Sequence, residues 1–180
     1  VYKRQLLPAE VIVIDDASTD GTGELVASMG RNAPIPVRLV RIRKNTGGPA
    51  RPMNIGVQEA RGDFVATLDQ DDAFAPTKLH DQIGLLKLGA RIGLVFGDVT
   101  LHGPDRELND KISRWFRGTL DTIPKAAIEG GFVIRANDAI AAIIRHRCFA
   151  MTCSNMLFPV HAWRAAGGFD ERLTVSCDLG

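Results

Sequence analysis

Short apolar runs that end in acidic turns alternate with helix-like stretches along this chain. Residues 10–14 form a β-branched run too short for a helix, and the polar turn 15–22 follows it directly. Residues 63–68 repeat the pattern and lead into the acidic segment 69–72. Strands that alternate with helices are typical of α/β domains with a mainly parallel sheet. A chain of 180 residues has room for one such domain with a sizeable core.

The same periodicity predicts the remaining elements. A first helix follows a cap at Asp20 or Thr22, whereas residues 102–129 favour neither helix nor strand. Further strands are predicted over 37–42, 92–100 and 154–158, and further helices over 53–60, 76–87, 137–147 and 160–166.

Composition argues against several classes of protein. The formal net charge of +1 gives no electrostatic reason to expect nucleic acid as a partner. Apolar stretches such as 139–144 fall far short of the ~20 residues that a membrane span needs, and no secretory signal opens the chain. The three cysteines lack a zinc-type spacing with histidines, so we interpret them as reduced thiols of a cytoplasmic protein. Any membrane association is expected to be peripheral, at the cytoplasmic face and through regions outside this chain.

The segment Asp69-Gln70-Asp71-Asp72 holds three carboxylates within four residues. Carboxylates held this close repel one another, so a folded site that contains them needs a compensating charge. A hard divalent cation with oxygen ligands supplies that charge, and open α/β sheets bind ligands beyond the carboxyl ends of their strands. On its own, a solvated turn whose aspartates cap the next helix explains the segment equally well.

The turn after the first predicted strand is also acidic. Ser18 and Asp20 are better explained as helix caps than as ligands. Asp16 stands at the strand end itself, where a carboxylate accepts hydrogen bonds from a base ring N–H or from ribose hydroxyls. Two acidic strand ends in one sheet suit a nucleotide-plus-metal site better than either does alone.

Four segments resemble the signatures of family 2 glycosyltransferases, which have the GT-A fold. Residues 13–22, 45–56 and 60–72 resemble the first, the glycine-rich and the metal-binding signatures, and Gly167-Gly168-Phe169-Asp170-Glu171 resembles the element that precedes the family's base. The signatures stand in the family's order and cover nearly the whole chain from residue 10. The resemblance implies an α/β, GT-A type nucleotide-binding fold in which helices flank a mainly parallel sheet. It also implies transfer of a sugar, with inversion, from a nucleotide diphosphate to a hydroxyl of a carbohydrate or lipid-linked acceptor.

The resemblance assigns donor-site roles to the acidic strand ends. Asp16 would contact the base of the donor nucleotide. Asp69 and Asp71 would form an Asp-x-Asp site that contacts the ribose and a divalent metal, Mg²⁺ or Mn²⁺, with Asp71 the direct ligand. Asp72 would stand behind that ligand, although capping of the next helix explains it equally well.

Weaker expectations concern the residues around these strand ends. Asn54 would face the nucleotide from the start of a helix, where capping is nearly as good an explanation. Arg51 and Lys44 are candidates for contact with the diphosphate, against the more common solvated position of such side chains. For Trp163 and Phe169, core packing is a better explanation than an acceptor pocket.

The base is assigned by position within the family's pattern. An acidic pair usually follows the Gly-Gly-Phe-Asp element, and its aspartate is the general base. Cys177-Asp178 stands at that spacing here, so the resemblance assigns the base to Asp178, with cysteine in place of the customary glutamate.

Both ends look cut in comparison with the family. We expect residues 1–9 to be a leader, native or foreign, and residues 10–180 to be a partial GT-A domain. A non-catalytic homologue that keeps nucleotide affinity is one alternative, supported by Cys177 and the truncation. A metal-dependent nucleotidyltransferase would require a glycine-rich triphosphate loop near the first strand, and a dinucleotide-binding oxidoreductase would require a Gly-x-Gly-x-x-Gly turn after a strand. Neither motif is present.

Overall fold

The computed structural model describes residues 6–89, 91–146 and 152–173. Strands and helices alternate through the first half, as the sequence predicts. The strands are β1 (Val11–Asp15), β2 (Val37–Arg41), β3 (Phe64–Ala66), β4 (Ala126–Ile128), β5 (Gly131–Val133) and β6 (Leu157–Pro159). The helices are α1 (Thr22–Gly30), α2 (Ala50–Glu59), α3 (Lys78–Leu86), α4 (Arg106–Asp121), α5 (Ala136–His146) and α6 (Val160–Ala166), with a 3₁₀ helix over Cys153–Asn155.

Strand pairing is parallel at one place and antiparallel at two. β1 and β2 run parallel, with Val11 opposite Val37, as the expected parallel sheet requires. β3 pairs antiparallel with β6, and β4 with β5. The expectation of a mainly parallel sheet therefore holds for β1 and β2 but not for the other two described pairs. Only two residues separate β4 from β5, and so short a connection joins antiparallel strands.

The predicted strand over 92–100 is reduced to a single bridge. Val95 donates its N–H to the Leu157 carbonyl at 2.8 Å and accepts the Leu157 N–H at 2.8 Å. Glycines at 93 and 97 bracket this residue, and glycine weakens a strand interior because it offers no side chain to pack. Through this bridge β6 has partners on both sides.

Several helix boundaries differ from the prediction by a few residues. α2 begins at Ala50 rather than at 53, because Pro52 in the first turn has no N–H that needs a partner. α6 has the predicted bounds. The unassigned stretch 102–129 contains α4, which begins after Asp105, whose Oδ1 accepts the Leu108 N–H at 2.9 Å. None of the helices within the described ranges is long and apolar enough to cross a membrane.

Helix α2 lies between β1 and the β3–β6 pair. Val57 is 1% exposed and packs in a cluster with Phe158 of β6. On the other side, a Cβ placed on Gly56 would lie 3.5 Å from Ile14 Cγ1 of β1, so the backbone of α2 approaches that strand closely. The two sheet units are thus joined through the apolar face of one helix.

A charged network marks the edge at which the strands begin. Glu10, just before β1, accepts the Arg61 N–H at 2.9 Å and pairs with Arg38 of β2 at 3.1 Å. Arg38 also donates to the carbonyl of Glu59, the last residue of α2. The starts of β1 and β2, the approach to β3 and the end of α2 therefore meet at one edge. The carboxyl ends of these strands and the N-terminus of α2 point to the opposite edge.

Candidate donor-binding site

The exit of β1 begins with a buried carboxylate. Asp15 is 4% exposed; its Oδ1 accepts the Ser18 N–H at 2.8 Å and its Oδ2 accepts Arg41 Nε at 3.2 Å. The hydrogen bonds from Ser18 and the guanidinium of Arg41 hold the pKa of Asp15 below its ordinary value. Asp15 therefore stabilises the turn as a carboxylate and does not face solvent.

Asp16 ties the exit of β1 to the glycine-rich segment. Its carboxylate oxygens lie 3.0 and 3.1 Å from the Thr46 amide nitrogen, and Oδ2 accepts the Thr46 hydroxyl at 2.8 Å. Its backbone carbonyl accepts Asn45 Nδ2 at 3.1 Å. A carboxylate offers about four lone-pair sites, so Asp16 keeps acceptor capacity for a further donor. The Asp16 side chain is half-buried, and these hydrogen bonds fix its direction. Its contact with the base of a nucleotide stays a prediction.

An open cleft of about 510 Å³ lies at this edge of the fold. Arg43, Lys44 and Arg51 give it a positive lining, and Arg51 stands in the first turn of α2, where backbone N–H groups lack intrahelical partners. Basic side chains beside the positive end of a helix favour an anionic ligand such as a diphosphate. The lining residues are Ile42, Arg43, Lys44, Asn45, Thr46, Arg51 and Glu171.

Arg51 lies at the mouth of this cleft. Its side chain is 60% exposed, and Nη1 is 3.8 Å from Glu171 Oε2. An exposed ion pair at that distance contributes little, so Arg51 can exchange its partner for an anion at low cost. The predicted diphosphate contact is therefore compatible with its position.

Asn54 has a different placement from the one expected. It lies in the second turn of α2 and caps no helix, so the capping explanation is wrong. It is 6% exposed; Nδ2 donates to the Phe169 carbonyl at 2.9 Å and to Glu171 Oε1 at 3.0 Å, while Oδ1 accepts the Phe169 N–H at 2.9 Å. Both amide hydrogens are thus engaged within the protein. Asn54 joins α2 to the Gly-Gly-Phe-Asp-Glu segment and holds Glu171 at the cleft, whereas its predicted nucleotide contact is untested.

The acidic segment forms a turn beyond β3. Asp69 is half-buried and donates its N–H to Ser154 Oγ at 2.8 Å, and the Asp72 N–H returns to the Asp69 carbonyl at 3.2 Å. Asp71 and Asp72 are exposed. Since Thr77 is the residue that precedes α3, capping of that helix by Asp72 is wrong.

The donor set of this turn suits a hard cation that keeps other ligands. Carboxylate oxygens of Asp69 and Asp71 are of the type that Mg²⁺ and Mn²⁺ take. Across the described ranges, no three histidine, cysteine, aspartate or glutamate side chains gather into a closed site. A cation here would complete its shell with diphosphate oxygens and water, as Mg²⁺ does when one or two carboxylates hold it.

The base that the resemblance assigns lies outside the described residues, whereas the acidic residues that precede it lie within them. Asp178 and Cys177 lie outside the described residues. Asp170 is bound by Arg172, whose Nη2 lies 2.6 Å from Oδ2, and the hydrogen bonds from Arg172 lower its pKa to about 2. Trp163 packs with Phe169 against the buried cluster beside α2, so the core explanation of both is confirmed.

Sequence reasoning missed the turn that supports the acidic segment. We predicted a strand over 154–158, whereas a 3₁₀ helix occupies Cys153–Asn155 and β6 begins two residues later. Thr152 and Asn155 form a capping box across this turn. The run Thr152-Cys153-Ser154-Asn155, with three polar turn-forming residues, was the signal available.

Comparisons with known proteins point to one family. The family model for glycosyl transferase family 2 matches residues 2–155. The poly(ribitol-phosphate) beta-N-acetylglucosaminyltransferase TarS of Staphylococcus aureus is 38% identical over 72 residues, which are 40% of this chain and 12% of TarS. The succinoglycan biosynthesis protein ExoO of Rhizobium meliloti is 43% identical over 75 residues, 41% of this chain and 20% of ExoO.

Solved structures share the fold. The crystal structure of S. aureus TarS 1–349 in complex with UDP superimposes with a TM-score of 0.62 and 22% identity, over 98% of this chain and 46% of that one. The mannosyltransferase PcManGT from Pyrobaculum calidifontis, in complex with GDP-Man and Mn²⁺, gives a TM-score of 0.62 and 20% identity, over 98% of this chain and 44% of that one. This chain thus corresponds to less than half of either structure. The likeness confirms the GT-A type α/β fold.

Proposed function

Because this chain belongs to glycosyl transferase family 2, we propose that it transfers a sugar from a nucleoside diphosphate to an acceptor hydroxyl, with inversion and with help from a divalent metal. One observation carries the proposal: the hydrogen bond from the Arg61 N–H to Glu10 places the starts of β1 and β3 at one edge of the fold. We therefore expect the acidic turn after β3 and the basic cleft at the exits of β1 and β2 to share the opposite edge. A nucleoside diphosphate needs both, since its phosphates attract cationic groups and its metal requires carboxylates.

The donor proposal has support from proteins of the same fold. TarS binds UDP and PcManGT binds GDP-Man with Mn²⁺ in their crystal structures. We propose a nucleotide sugar as the donor here, with Asp16 toward the base, Lys44 and Arg51 toward the diphosphate, and Asp69 toward the ribose. The names of TarS and ExoO refer to poly(ribitol-phosphate) and to succinoglycan biosynthesis, and we propose for this chain a carbohydrate or lipid-linked acceptor of the cell envelope.

A single displacement accounts for inversion. The acceptor oxygen attacks the anomeric carbon from the face opposite the diphosphate; the new C–O bond forms as the bond to the diphosphate oxygen breaks. Asp178 takes the proton of the attacking hydroxyl. When bound at Asp69 and Asp71, the metal supplies Lewis-acid neutralisation of the charge on the departing diphosphate. The positive charges of Lys44 and Arg51 stabilise the negative charge that develops on the same leaving group.

The electrostatics of Asp170 favour Asp178 as the base. Asp170 has its pKa lowered to about 2 by the hydrogen bonds and charge of Arg172. A carboxylate of such low basicity is a weak proton acceptor for a hydroxyl at neutral pH. Glu171 is the remaining acidic residue of the segment, and it is engaged with Asn54.

The test begins with the full-length protein and a panel of UDP- and GDP-sugars. Calorimetry is run with Mn²⁺, with Mg²⁺ and in excess chelator, and release of nucleoside diphosphate is followed with and without acceptor extracts. We expect donor binding to collapse in chelator and the product anomer, read by NMR, to be inverted. Equal donor affinity with and without metal would refute the metal site. Tight donor binding without any turnover would identify a non-catalytic homologue instead.

A further inference from the structure

The acidic segment is attached to the rest of the protein by hydrogen bonds from two alternate residues. The Thr67 hydroxyl donates to the Cys153 carbonyl, and the Asp69 N–H donates to Ser154 Oγ at 2.8 Å. Both acceptors belong to the 3₁₀ helix Cys153–Asn155, which stands 85 residues further along the chain from Asp69. The two bonds fasten the chain at the point where the acidic turn begins.

Apolar packing does little to hold the same stretch. β3 ends at Ala66. Leu68, between the two hydrogen-bonded residues, is 51% exposed. Apolar contact is non-directional, so a half-exposed leucine does not set the direction in which the chain enters the turn. The direction of the acidic turn therefore depends on its polar attachments.

The supporting turn is itself rigidly held. Asn155 accepts the Thr152 N–H through Oδ1 at 3.1 Å and donates Nδ2 to the Gly97 carbonyl at 2.9 Å. Gln82 of α3 donates Nε2 to the Asn155 carbonyl at 2.7 Å. Gln82, Ser154 and Asn155 are all at least nine-tenths buried. Buried polar groups with satisfied hydrogen bonds form rigid networks, because any departure leaves a partner unpaired in a low-dielectric interior.

The far side of the acidic turn is attached to the same network. Lys78 donates Nζ to Gln82 Oε1 at 2.7 Å and to the Met156 carbonyl at 3.3 Å. Its ammonium lies 4.3 Å from the ring centroid of Phe74, a distance at which cation–π attraction operates. The turn 69–72 is thus held at Asp69 by the hydrogen bond to Ser154, and after Asp72 by the contact between Phe74 and Lys78.

We infer that Ser154 is a positioning residue for the metal and the diphosphate, and that it acts through the backbone of Asp69. This inference rests on the proposed function, because the proposed function is what assigns a metal and a diphosphate to the acidic turn. Ser154 touches neither substrate nor metal in this scheme; it sets the direction in which the Asp69 carboxylate enters the site. Groups that orient metal-ligating carboxylates typically change metal affinity or activity by about 10- to 100-fold when they are removed.

The experiment compares Ser154→Ala with a stability control in the full chain. Ile123 is buried in a cluster with Ala142, and its side chain forms none of the hydrogen bonds that hold the acidic turn, so Ile123→Val removes a methyl group outside that network. Mn²⁺ binding is measured by electron paramagnetic resonance in the presence of UDP and, separately, GDP. Hydrogen exchange at the Asp69 amide reports the hydrogen bond directly, without any activity. Ser154→Thr, which keeps the hydroxyl, is the conservative variant.

We expect Ser154→Ala to weaken Mn²⁺ binding by about 10- to 100-fold and to speed exchange at Asp69, with Ser154→Thr close to wild type. Ile123→Val should lower the melting temperature and leave Mn²⁺ affinity unchanged. If wild type binds Mn²⁺ and Ser154→Ala binds it equally well, the inference alone is overturned. If wild type binds no Mn²⁺ with either nucleotide, the metal part of the proposed function fails and the inference fails with it.

Discussion

Two adjacent glycines allow the support of the cleft to be tested with a matched pair of substitutions. Gly167 and Gly168 follow α6 with φ of +86° and +82°, a region that L side chains rarely adopt. Their surroundings differ, since a Cβ on Gly167 would meet nothing within 4 Å. A Cβ on Gly168 would lie 2.9 Å from Trp163 Cζ2 and 3.0 Å from Asn54 Oδ1. One substitution to alanine therefore adds backbone strain alone, and the other adds strain and a collision.

Neither Trp163 nor Asn54 can move away from Gly168 without losing contacts of its own. The Trp163 ring packs against the buried cluster around Val57, and Asn54 Oδ1 accepts the Phe169 N–H at 2.9 Å. Left-handed backbone costs a non-glycine residue about 1–2 kcal/mol, and overpacking of a filled site costs about 1–3 kcal/mol. Strain and unfolded-state entropy are common to both variants, so the difference between them isolates the collision. We expect Gly168→Ala to be less stable than Gly167→Ala by about 1–3 kcal/mol.

Urea unfolding followed by tryptophan fluorescence measures the free energy of unfolding of both variants. For a chain of this size, each kcal/mol lowers the melting temperature by about 2–4 °C, which gives an independent reading. Gly168→Ala should also weaken donor binding, because it displaces Asn54, whose hydrogen bond holds Glu171 at the cleft. Equal loss of stability in the two variants would refute the close packing of Gly168 against Asn54 and Trp163.

Four other substitutions test the acidic residues. Asp71→Asn should lower metal-dependent donor affinity more than about tenfold, with a smaller effect from Asp72→Asn; calorimetry that ranked them the other way would move the ligand to Asp72. Asp178→Asn should reduce turnover by about 10² to 10⁴ with donor affinity unchanged, whereas near-normal turnover would exclude it as the base. Asp15 has a lowered folded-state pKa, so its contribution to stability is present above its ordinary value of 3.8 and is lost as the pH falls through the folded-state value. Urea midpoints of wild type and Asp15→Asn should therefore differ at pH 7 and converge toward pH 2, and a constant difference would contradict the shift.

Local patterns predicted the strand exits well because the signals are local. A short apolar run followed by an acidic turn marks β1 and β3, and α6 has the predicted bounds 160–166. The sequence of α4 also contains local helix signals. Asp105 is a good N-cap, and Leu108, Ile112 and Trp115 recur at helical spacing, but charged residues between them hide the stripe.

Contacts between distant segments were beyond any local pattern. Asn54 meets Phe169 across 115 residues, and the sequence around Asn54 contains nothing that indicates this partner. A buried asparagine inside a helix nevertheless requires partners for its amide, so its burial, once known, predicts a tie of some kind. Helix capping was the wrong explanation because it assumed an exposed helix start.

Hydrogen bonds between distant segments hold the candidate site at three residues. Asp16 binds Thr46, Asn54 binds Phe169, and Asp69 binds Ser154; each attachment joins a segment at the site to another at least 30 residues away. Directional bonds of this kind fix side-chain position more narrowly than apolar contact does, but each leaves an unsatisfied partner when broken. Substitutions that break these hydrogen bonds should therefore impair donor and metal binding before they unfold the domain. Substitutions of the buried apolar side chains around Val57 should show the reverse order, since these side chains join α2 to β6 and form none of the hydrogen bonds of the site.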